Sequence, residues 1–180
     1  IEIGTVIKQD ILENRVNTAF LAIGSNLGNK KKNIEIAKFL LEANSIKIIK
    51  SSNIYESYSW PNKNHPKFYN IVIKVVTKIN PLNLFFIIKD IERNLGRKKT
   101  SINKPRTCDI DILDYKGQIF KLSYNNNKLI IPHPRLHKRN FVLFPLFEIE
   151  KNWKHPSKKS KIKELLAKLD NSSLYSIKQI

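Results

Sequence analysis

Methionine is absent from the 180 residues, and cysteine occurs once. The lone Cys108 excludes an internal disulfide framework and a cysteine-rich zinc site. No apolar run approaches the roughly 20 residues of a membrane helix, so no membrane association is expected. The opening stretch, IEIGTVIKQDILENRV, carries acids and lacks the basic-then-apolar order of a secretory signal; a cytoplasmic location is the expectation. Acids are scarce too: 15 Asp and Glu face 33 Lys and Arg, a net charge of +18. That balance fits nucleic acid, an anionic surface or phosphates as partner. It equally fits a chain rich in Ile, Lys and Asn, as AT-rich genomes encode, in which lysine simply fills solvated faces. Arginine is the sharper signal, because only Arg15, Arg93, Arg97, Arg106, Arg135 and Arg139 are present. Five of the six lie between 93 and 139, where a planar fork suits bidentate contacts to phosphate or carboxylate. One or two of the five are expected to be structural ion pairs.

The length suits one domain with a real core. Residues 18–180 are expected to form it, with 1–17 a peripheral appendage. NTAFLAIGSN (17–26) reads as a buried strand entering a turn. KKKNIEIAKFLLEA (30–43) places Ile34, Ala37 and Leu41 on one stripe of an amphipathic helix. SIKIIKSSNIYES (45–57) alternates like a strand with a bulge near Ser51-Ser52. An irregular loop follows (58–66). FYNIVIKVVTKI (68–79) is long and β-rich enough for a central strand. Pro81 opens a helix that Gly96 closes. RKKTSINKPR (97–106) is a basic loop, and TCDIDILDY (107–115) the next strand. Residues 116–131 read as a hairpin or irregular connection, NFVLFPLFEI as a short buried helix, and 159–169 as a final surface helix. The order is β-α-β-β-α-β. The expected class is α+β: a ferredoxin-like sandwich with an antiparallel sheet, both helices on one face, the other face or its rim open to a ligand, and extra C-terminal elements.

In PRTCDIDIL (105–113), strand alternation sends Cys108, Ile110 and Ile112 to one side, and Asp109 and Asp111 to the other. Two carboxylates so close repel, and Mg²⁺ compensates naturally, taking one or two carboxylates together with substrate phosphates. A pair of solvated acids reads the same from the pattern alone. Arg97 and Arg106 flank the pair, and His133, held between two prolines, joins Arg135 and Arg139 in a second basic cluster. That setting suits a polyphosphate; a His133 that merely caps a turn is the plainer alternative. GSNLGN (24–29) lacks the spacing of a phosphate loop and reads as a turn needed for packing.

Four stretches in order, AIGSNLGN, HPKFYN, IERNLGR followed by PRTCDIDIL, and IPHPRLHKRNFVLFPLFEI, together resemble the 6-hydroxymethyl-7,8-dihydropterin pyrophosphokinases of folate biosynthesis, over about residues 18 to 150. The resemblance implies a ferredoxin-like α/β/α fold and transfer of pyrophosphate from Mg-ATP to the pterin hydroxymethyl group, with release of AMP. It implies two Mg²⁺ ions on Asp109 and Asp111, between the ATP phosphates and the pterin hydroxyl. It places Arg97, Lys99, Arg106, Ile112, His133 and Arg139 at ATP, with Arg97 and Arg106 also catalytic. It places Ser57, Phe68, Asn70, Asp109 and Phe141 at the pterin, Phe68 and Phe141 as the sandwich and Asn70 as the reader of its edge. From residue types alone, the two phenylalanines read as core packing. The implied partners are the two small-molecule substrates, with no nucleic acid and a monomeric state. Asn103-Lys104 replaces an aromatic-Gly pair usual in the family, the middle loop lacks a glycine, and His65 stands where Gln is common. These departures spare the acids. An RNA-binding sheet is the other class for so basic a chain, but Asp109 and Asp111 on the open face would repel phosphate.

Overall fold

The computed structural model describes residues 16–97, 104–124 and 127–180. Strand β1 (Asn17–Ser25) lies between β4 (Phe68–Thr77) and β5 (Asp109–Tyr115), antiparallel to both. The far edge of β4 is paired by two short strands, β2 (Lys47–Ser51) and β3 (Tyr55–Ser57). β8 (Ile177–Gln179) then adds to β3, giving the order β5-β1-β4-β3-β8 with β2 beside β4. Helices α1 (Lys30–Ala43) and α2 (Pro81–Asn94) cover one face. β6 (Phe120–Tyr124) and β7 (Asn127–Ile131) form a separate hairpin. A 3₁₀ turn (Leu136–Lys138), α3 (Asn140–Ile149), α4 (Ile162–Ala167) and α5 (Asn171–Tyr175) complete the chain.

Alternation along the strands builds two cores. Ala19, Leu21 and Ile23 of β1, Ile71, Ile73 and Val75 of β4, and Ile110 and Ile112 of β5 pack against Ile34, Ala37 and Leu41 of α1 and Leu84, Ile88 and Ile91 of α2. Each such fully buried aliphatic side chain is worth ~1.5–3 kcal/mol. Caps set the helix starts: the Asn29 side chain accepts from Lys32 N, and Asn80 from Asn83 N just before Pro81.

Of the two placements expected for a ligand, the opposite face or its rim, the structure leaves the rim open and covers the rest of the face. Phe20, Val72 and Leu113 bury there against Val142, Leu143 and Leu146 of α3, with Trp153, Ile162 and Leu165 behind. The fold is therefore an α/β/α sandwich, and only the end of the second face, at Ala22, Gly24, Asn70, Asp109 and Asp111, stays open. A register shift after Ile112 changes the alternation of β5: Leu113 keeps the side of Asp109 and Asp111, Asp114 joins it to accept from Trp153 Nε1, and Tyr115 enters the helix-side core.

Other expectations need correction. The single strand over 45–57 is two, interrupted at 52–54, where Ser52 keeps contact with β4 through Val72 N and O. The strand expected from 107 begins at Asp109. The helix expected over 159–169 spans only 162–167; Lys163, Glu164 and Ala167 are exposed on its outer face, while Ile162 and Leu165 bury the inner one. Neither α5 nor β8 was anticipated. The hairpin expected within 116–131 and the buried helix at NFVLFPLFEI are present. Of the appendage expected at 1–17, residues 1–15 lie outside the described residues, and Asn17 opens β1. No helix among the described residues is long and apolar enough to cross a membrane.

Candidate active site

The open end of the sheet is the floor of a cavity of about 1650 Å³. A single-ligand pocket commonly occupies roughly 300–1,000 Å³, so this cleft has room for two ligands. Asp109 and Asp111 lie side by side on its floor, opposite Gly24 and Ala22 of β1.

Each acid is held by two basic groups. Asp109 Oδ1 accepts from Arg97 Nη1 at 2.7 Å and Arg106 Nη1 at 3.4 Å. Asp111 Oδ2 accepts from Arg139 Nη1 at 3.1 Å and faces His133 Nε2 at 3.8 Å. Desolvation pushes the Asp111 carboxyl up, but His133 and Arg139 outweigh it and hold the group below the ordinary carboxylate range. Arg97 is destabilised by burial yet ends above its usual value because Asp109 and Glu92 surround it. Burial, and the neighbouring arginines with it, push His133 down against the pull of Asp111. Its Nδ1 accepts from Arg135 N at 3.2 Å, which assigns the ring proton to Nε2, on the side of Asp111. His133 thus caps its turn and faces the site at once.

Local structure explains how these groups are aimed. Gly96, at φ 83°, ends α2 in a Schellman motif: Gly96 N donates to Arg93 O and Arg97 N to Glu92 O. The turn throws the Arg97 side chain back over Glu92 and Asp109. Arg139 occupies the N-cap of α3, a position at which a cation opposes the helix dipole. Its pairing with Asp111 offsets that cost. The turn at GSNLGN serves packing, as its sequence indicates. Buried Asn26 donates to Ser59 Oγ and Pro66 O at 3.1 Å each, and its Oδ1 accepts from Arg106 N at 2.8 Å. One side chain thereby ties the 58–66 loop to the segment that enters β5.

Further along the cavity wall, Phe68 and Phe141 are half-buried, Phe141 also packing against the second core, and Arg106 and Arg139 lie over their rings at 5.8 and 5.5 Å. Asn70 Nδ2 donates to Ser57 Oγ at 2.9 Å. A Cβ on Gly24 would stand 3.1 Å from Asn70 Oδ1 and 3.4 Å from Phe68 Cδ1. The absent side chain of Gly24 is therefore what lets this pair approach the strand. Ile112 is buried in the helix-side core and also lines a smaller cavity of about 240 Å³ with Lys128, Asp111 and His133. Lys99 and Asn103 lie outside the described residues; Lys104 lines the main cavity.

Of the five clustered arginines, Arg97, Arg106 and Arg139 converge on the acids. Arg93 pairs with Asp90 on the surface of α2, and Arg135 lies over the Trp60 ring across the cleft at 5.8 Å. Glu92 escaped the sequence reading. It is 1% exposed and accepts from Ile110 N at 2.7 Å, while Lys89 and Arg97 pair with it at 2.9 and 2.5 Å. Desolvation raises its pKa despite those partners. The available signal was an acid on the Ile88–Ile91 stripe of α2, five residues before Arg97.

The geometry of the site fits both an anion and a cation. Arg106 Nε and Thr107 Oγ1 are buried in the cavity wall without a hydrogen-bond partner, as phosphate-facing groups would be. Among the described residues, neither Asp109 Oδ2 nor Asp111 Oδ1 has a hydrogen-bond partner, so each carboxylate keeps one oxygen for a hard cation. Among the described residues, no three or more His, Cys, Asp or Glu side chains are arranged to hold a metal ion by themselves. Such a cation would need its remaining ligands from substrate or water.

Residues 20–151 match the profile of 7,8-dihydro-6-hydroxymethylpterin-pyrophosphokinase (HPPK). The chain is similar to an Aquifex aeolicus 2-amino-4-hydroxy-6-hydroxymethyldihydropteridine pyrophosphokinase, 40% identical over 147 residues, 82% of this chain and 89% of that protein. It is 41% identical over 146 residues to the Pneumocystis carinii folic acid synthesis protein fol1, covering 80% of this chain but only 19% of that much longer protein. In fold it is similar to a Plasmodium falciparum HPPK-DHPS crystallised with pteroate, with a TM-score of 0.73 at 18% identity, over 93% of this chain and 47% of that one. The HPPK profile spans the acid pair, the three converging arginines and both cavity phenylalanines, and the chain belongs to the HPPK family.

Proposed function

We propose that residues 18–180 act as one catalytic unit that transfers pyrophosphate from Mg-ATP to 6-hydroxymethyl-7,8-dihydropterin and releases AMP. The observation that carries this reading is the acid pair: two carboxylates, each half-engaged by two basic groups, on the floor of a cavity large enough for both substrates. The alcohol oxygen of the pterin attacks the β-phosphorus of ATP. The bond from that phosphorus to the α–β bridging oxygen breaks, and AMP leaves with release of the alcohol proton. Positioning and charge neutralisation are the main tasks of such a site, and no protein nucleophile is needed.

Asp109 Oδ2 and Asp111 Oδ1 hold Mg²⁺, two ions in this proposal. Bound there, Mg²⁺ neutralises the phosphates and lowers the pKa of the substrate hydroxyl. Arg97, Arg106 and Arg139 turn their forks from the acids to the phosphate oxygens, with Arg106 Nε finding its missing acceptor. His133 offers Nε2–H to the same oxygens. The smaller cavity beside Ile112 and His133 takes the adenine, and Lys99 adds a further cation at ATP. Phe68 and Phe141 enclose the pterin ring, and Asn70, fixed by Ser57, reads its edge. Family membership, the Arg106 orphan nitrogen and the free carboxylate oxygens support these assignments.

Purified protein supplied with Mg-ATP and the hydroxymethyl-dihydropterin is expected to form AMP and the pterin pyrophosphate in equal amounts. Folded protein that yields no AMP above background refutes the proposal. Under saturating Mg-ATP, a further rise in rate with free Mg²⁺ is the expected sign of a second ion.

A further inference from the structure

The cavity wall includes a segment beyond the 20–151 span that matches the family profile. Ser172, Ser173 and Ser176 of α5 and its exit line the same cleft as Ser57, Asn70 and Phe141. The segment reaches that place by two independent attachments. β8 pairs antiparallel with β3, Ile177 opposite Ser57 and Gln179 opposite Tyr55, and Ile180 N donates to Ile54 O at 2.9 Å. The second attachment is a latch. Asn140 Nδ2 donates to Ser173 O at 2.6 Å and to Ser176 Oγ at 2.9 Å, and Ser176 Oγ donates to Ser173 O at 3.0 Å. Asp170 closes the turn, its Oδ1 accepting from Ser173 N at 2.6 Å and Ser172 Oγ at 2.8 Å.

Edge protection of the sheet accounts for β8, because a three-residue strand suffices to cover β3. It does not account for the latch. Asn140 is 9% exposed, and its amide nitrogen serves the tail. It also stands between Arg139, which pairs with Asp111, and Phe141, which walls the cavity. The tail is thus fastened to the residue pair that bounds the aromatic end of the cleft.

We propose that residues 170–179 form a substrate wall at that end, and that Asn140 is the positioning residue that latches it. This inference rests on the pterin reading of the cavity. The wall bears hydroxyls and peptide groups on small side chains beside Phe68 and Phe141. It suits a flat bicyclic heteroaromatic with an amino-oxo edge, whose ring faces meet Phe68 and Phe141.

The test compares the full chain with Asn140→Asp and with a chain ending at Leu169. Asn140→Asp keeps the shape but turns the donor into an acceptor facing two oxygens, which releases the latch. Binding of 6-hydroxymethyl-7,8-dihydropterin is titrated calorimetrically in the presence of Mg²⁺ and α,β-methylene-ATP, and thermal melting checks folding. Asn140→Asp is expected to weaken pterin binding about tenfold. Affinity for the nucleotide analogue is expected to stay within about twofold, and kcat at saturating pterin within about threefold. The shortened chain is expected to lose at least as much pterin affinity. Unchanged pterin binding in folded Asn140→Asp overturns the inference, as does an equal loss for both ligands. A full chain that binds nucleotide but no pterin overturns the pterin reading itself, and the inference with it.

Discussion

Gly24→Ala is the sharpest probe of the pterin end. The residue is not in a left-handed conformation, so alanine meets no backbone penalty, and the whole effect comes from one methyl group. That methyl would stand 3.1 Å from Asn70 Oδ1 and 3.4 Å from Phe68 Cδ1. The first distance is too short by a few tenths of an ångström, so Asn70 has to yield. It is not free to do so, because its Nδ2 is held by Ser57 Oγ at 2.9 Å and it is 6% exposed. Overpacking of this kind costs about 1–3 kcal/mol, and a displaced hydrogen-bonding amide loses about 0.5–1.5 kcal/mol at its partner. A loss of about 1–2 kcal/mol in pterin binding follows, roughly 5–30-fold in KM for the pterin. The melting temperature is expected to fall by about 2–8 °C. AMP release measured against pterin concentration gives KM, and titration with an ATP analogue gives nucleotide affinity, expected within about twofold of the parent. Unchanged pterin KM refutes the assigned role of Asn70 and Phe68. An equal loss of nucleotide affinity would instead mean that the methyl disturbs the acid pair.

Three further outcomes are expected. Asp109→Asn or Asp111→Asn is expected to lower turnover at least ~10²-fold without unfolding the chain, and EDTA to abolish it reversibly; retained turnover in both variants would remove the acids from the metal site. Stability is expected to fall as pH drops from about 6.5 toward 4, because burial, with His137 and Lys158 nearby, depresses His155 from 6.5 to about 4. The unfolded chain binds that proton first, so stability is complete above 6.5 and declines below it, by at most ~3 kcal/mol. Denaturant melts of the parent and of His155→Gln should converge through that interval; a constant difference between them would contradict the assignment. Trp60→Ala or Arg135→Ala removes a contact that spans the cleft, worth ~0.5–1 kcal/mol at an exposed site, and stopped-flow release of pterin should quicken about 2–5-fold. Release rates equal to the parent would mean that the contact does not restrain the cleft.

The elements legible in the sequence were those whose periodicity and caps agree with their packing. Ile34, Ala37 and Leu41 announce α1, Pro81 and Gly96 bound α2, and Cys108, Ile110 and Ile112 all enter the helix-side core. What escaped was tertiary. β8 has no strand pattern of its own and exists because β3 offers it an edge. Residues 45–57 alternate continuously, yet Ser52 substitutes its hydroxyl for part of the ladder and splits the strand. The second core was hidden because α3 is apolar on most sides, so its pattern does not say which face of the sheet it covers. Among the site residues, D-x-D and the clustered arginines were legible as a likeness to phosphate chemistry. The buried role of Glu92 was not, since its partners come from β5 and from the turn after its own helix.

Glu92 also explains how the cleft tolerates so much positive charge before any phosphate arrives. Arg97, Arg106, Arg139 and Lys89 crowd a site with only two floor acids, and a buried guanidinium without a partner is costly. Glu92 takes Lys89 and half of Arg97, and the backbone N–H of Ile110 anchors it to the very strand that carries the acids. Arg97 therefore has one structural partner and one exchangeable one. On the proposed reading, a fork that left Asp109 for a phosphate oxygen would keep its ion pair with Glu92 and would free an Asp109 oxygen for a cation. Arg106 lacks such a second acid; its own exchange is prepared instead by the Asn26 bond to its backbone and by the unpartnered Nε. On the proposed reading, the acids, the arginines and the ligand charges would thus trade partners within one cleft. That is the electrostatic preorganisation that transfer of a pyrophosphate from ATP to an alcohol would require.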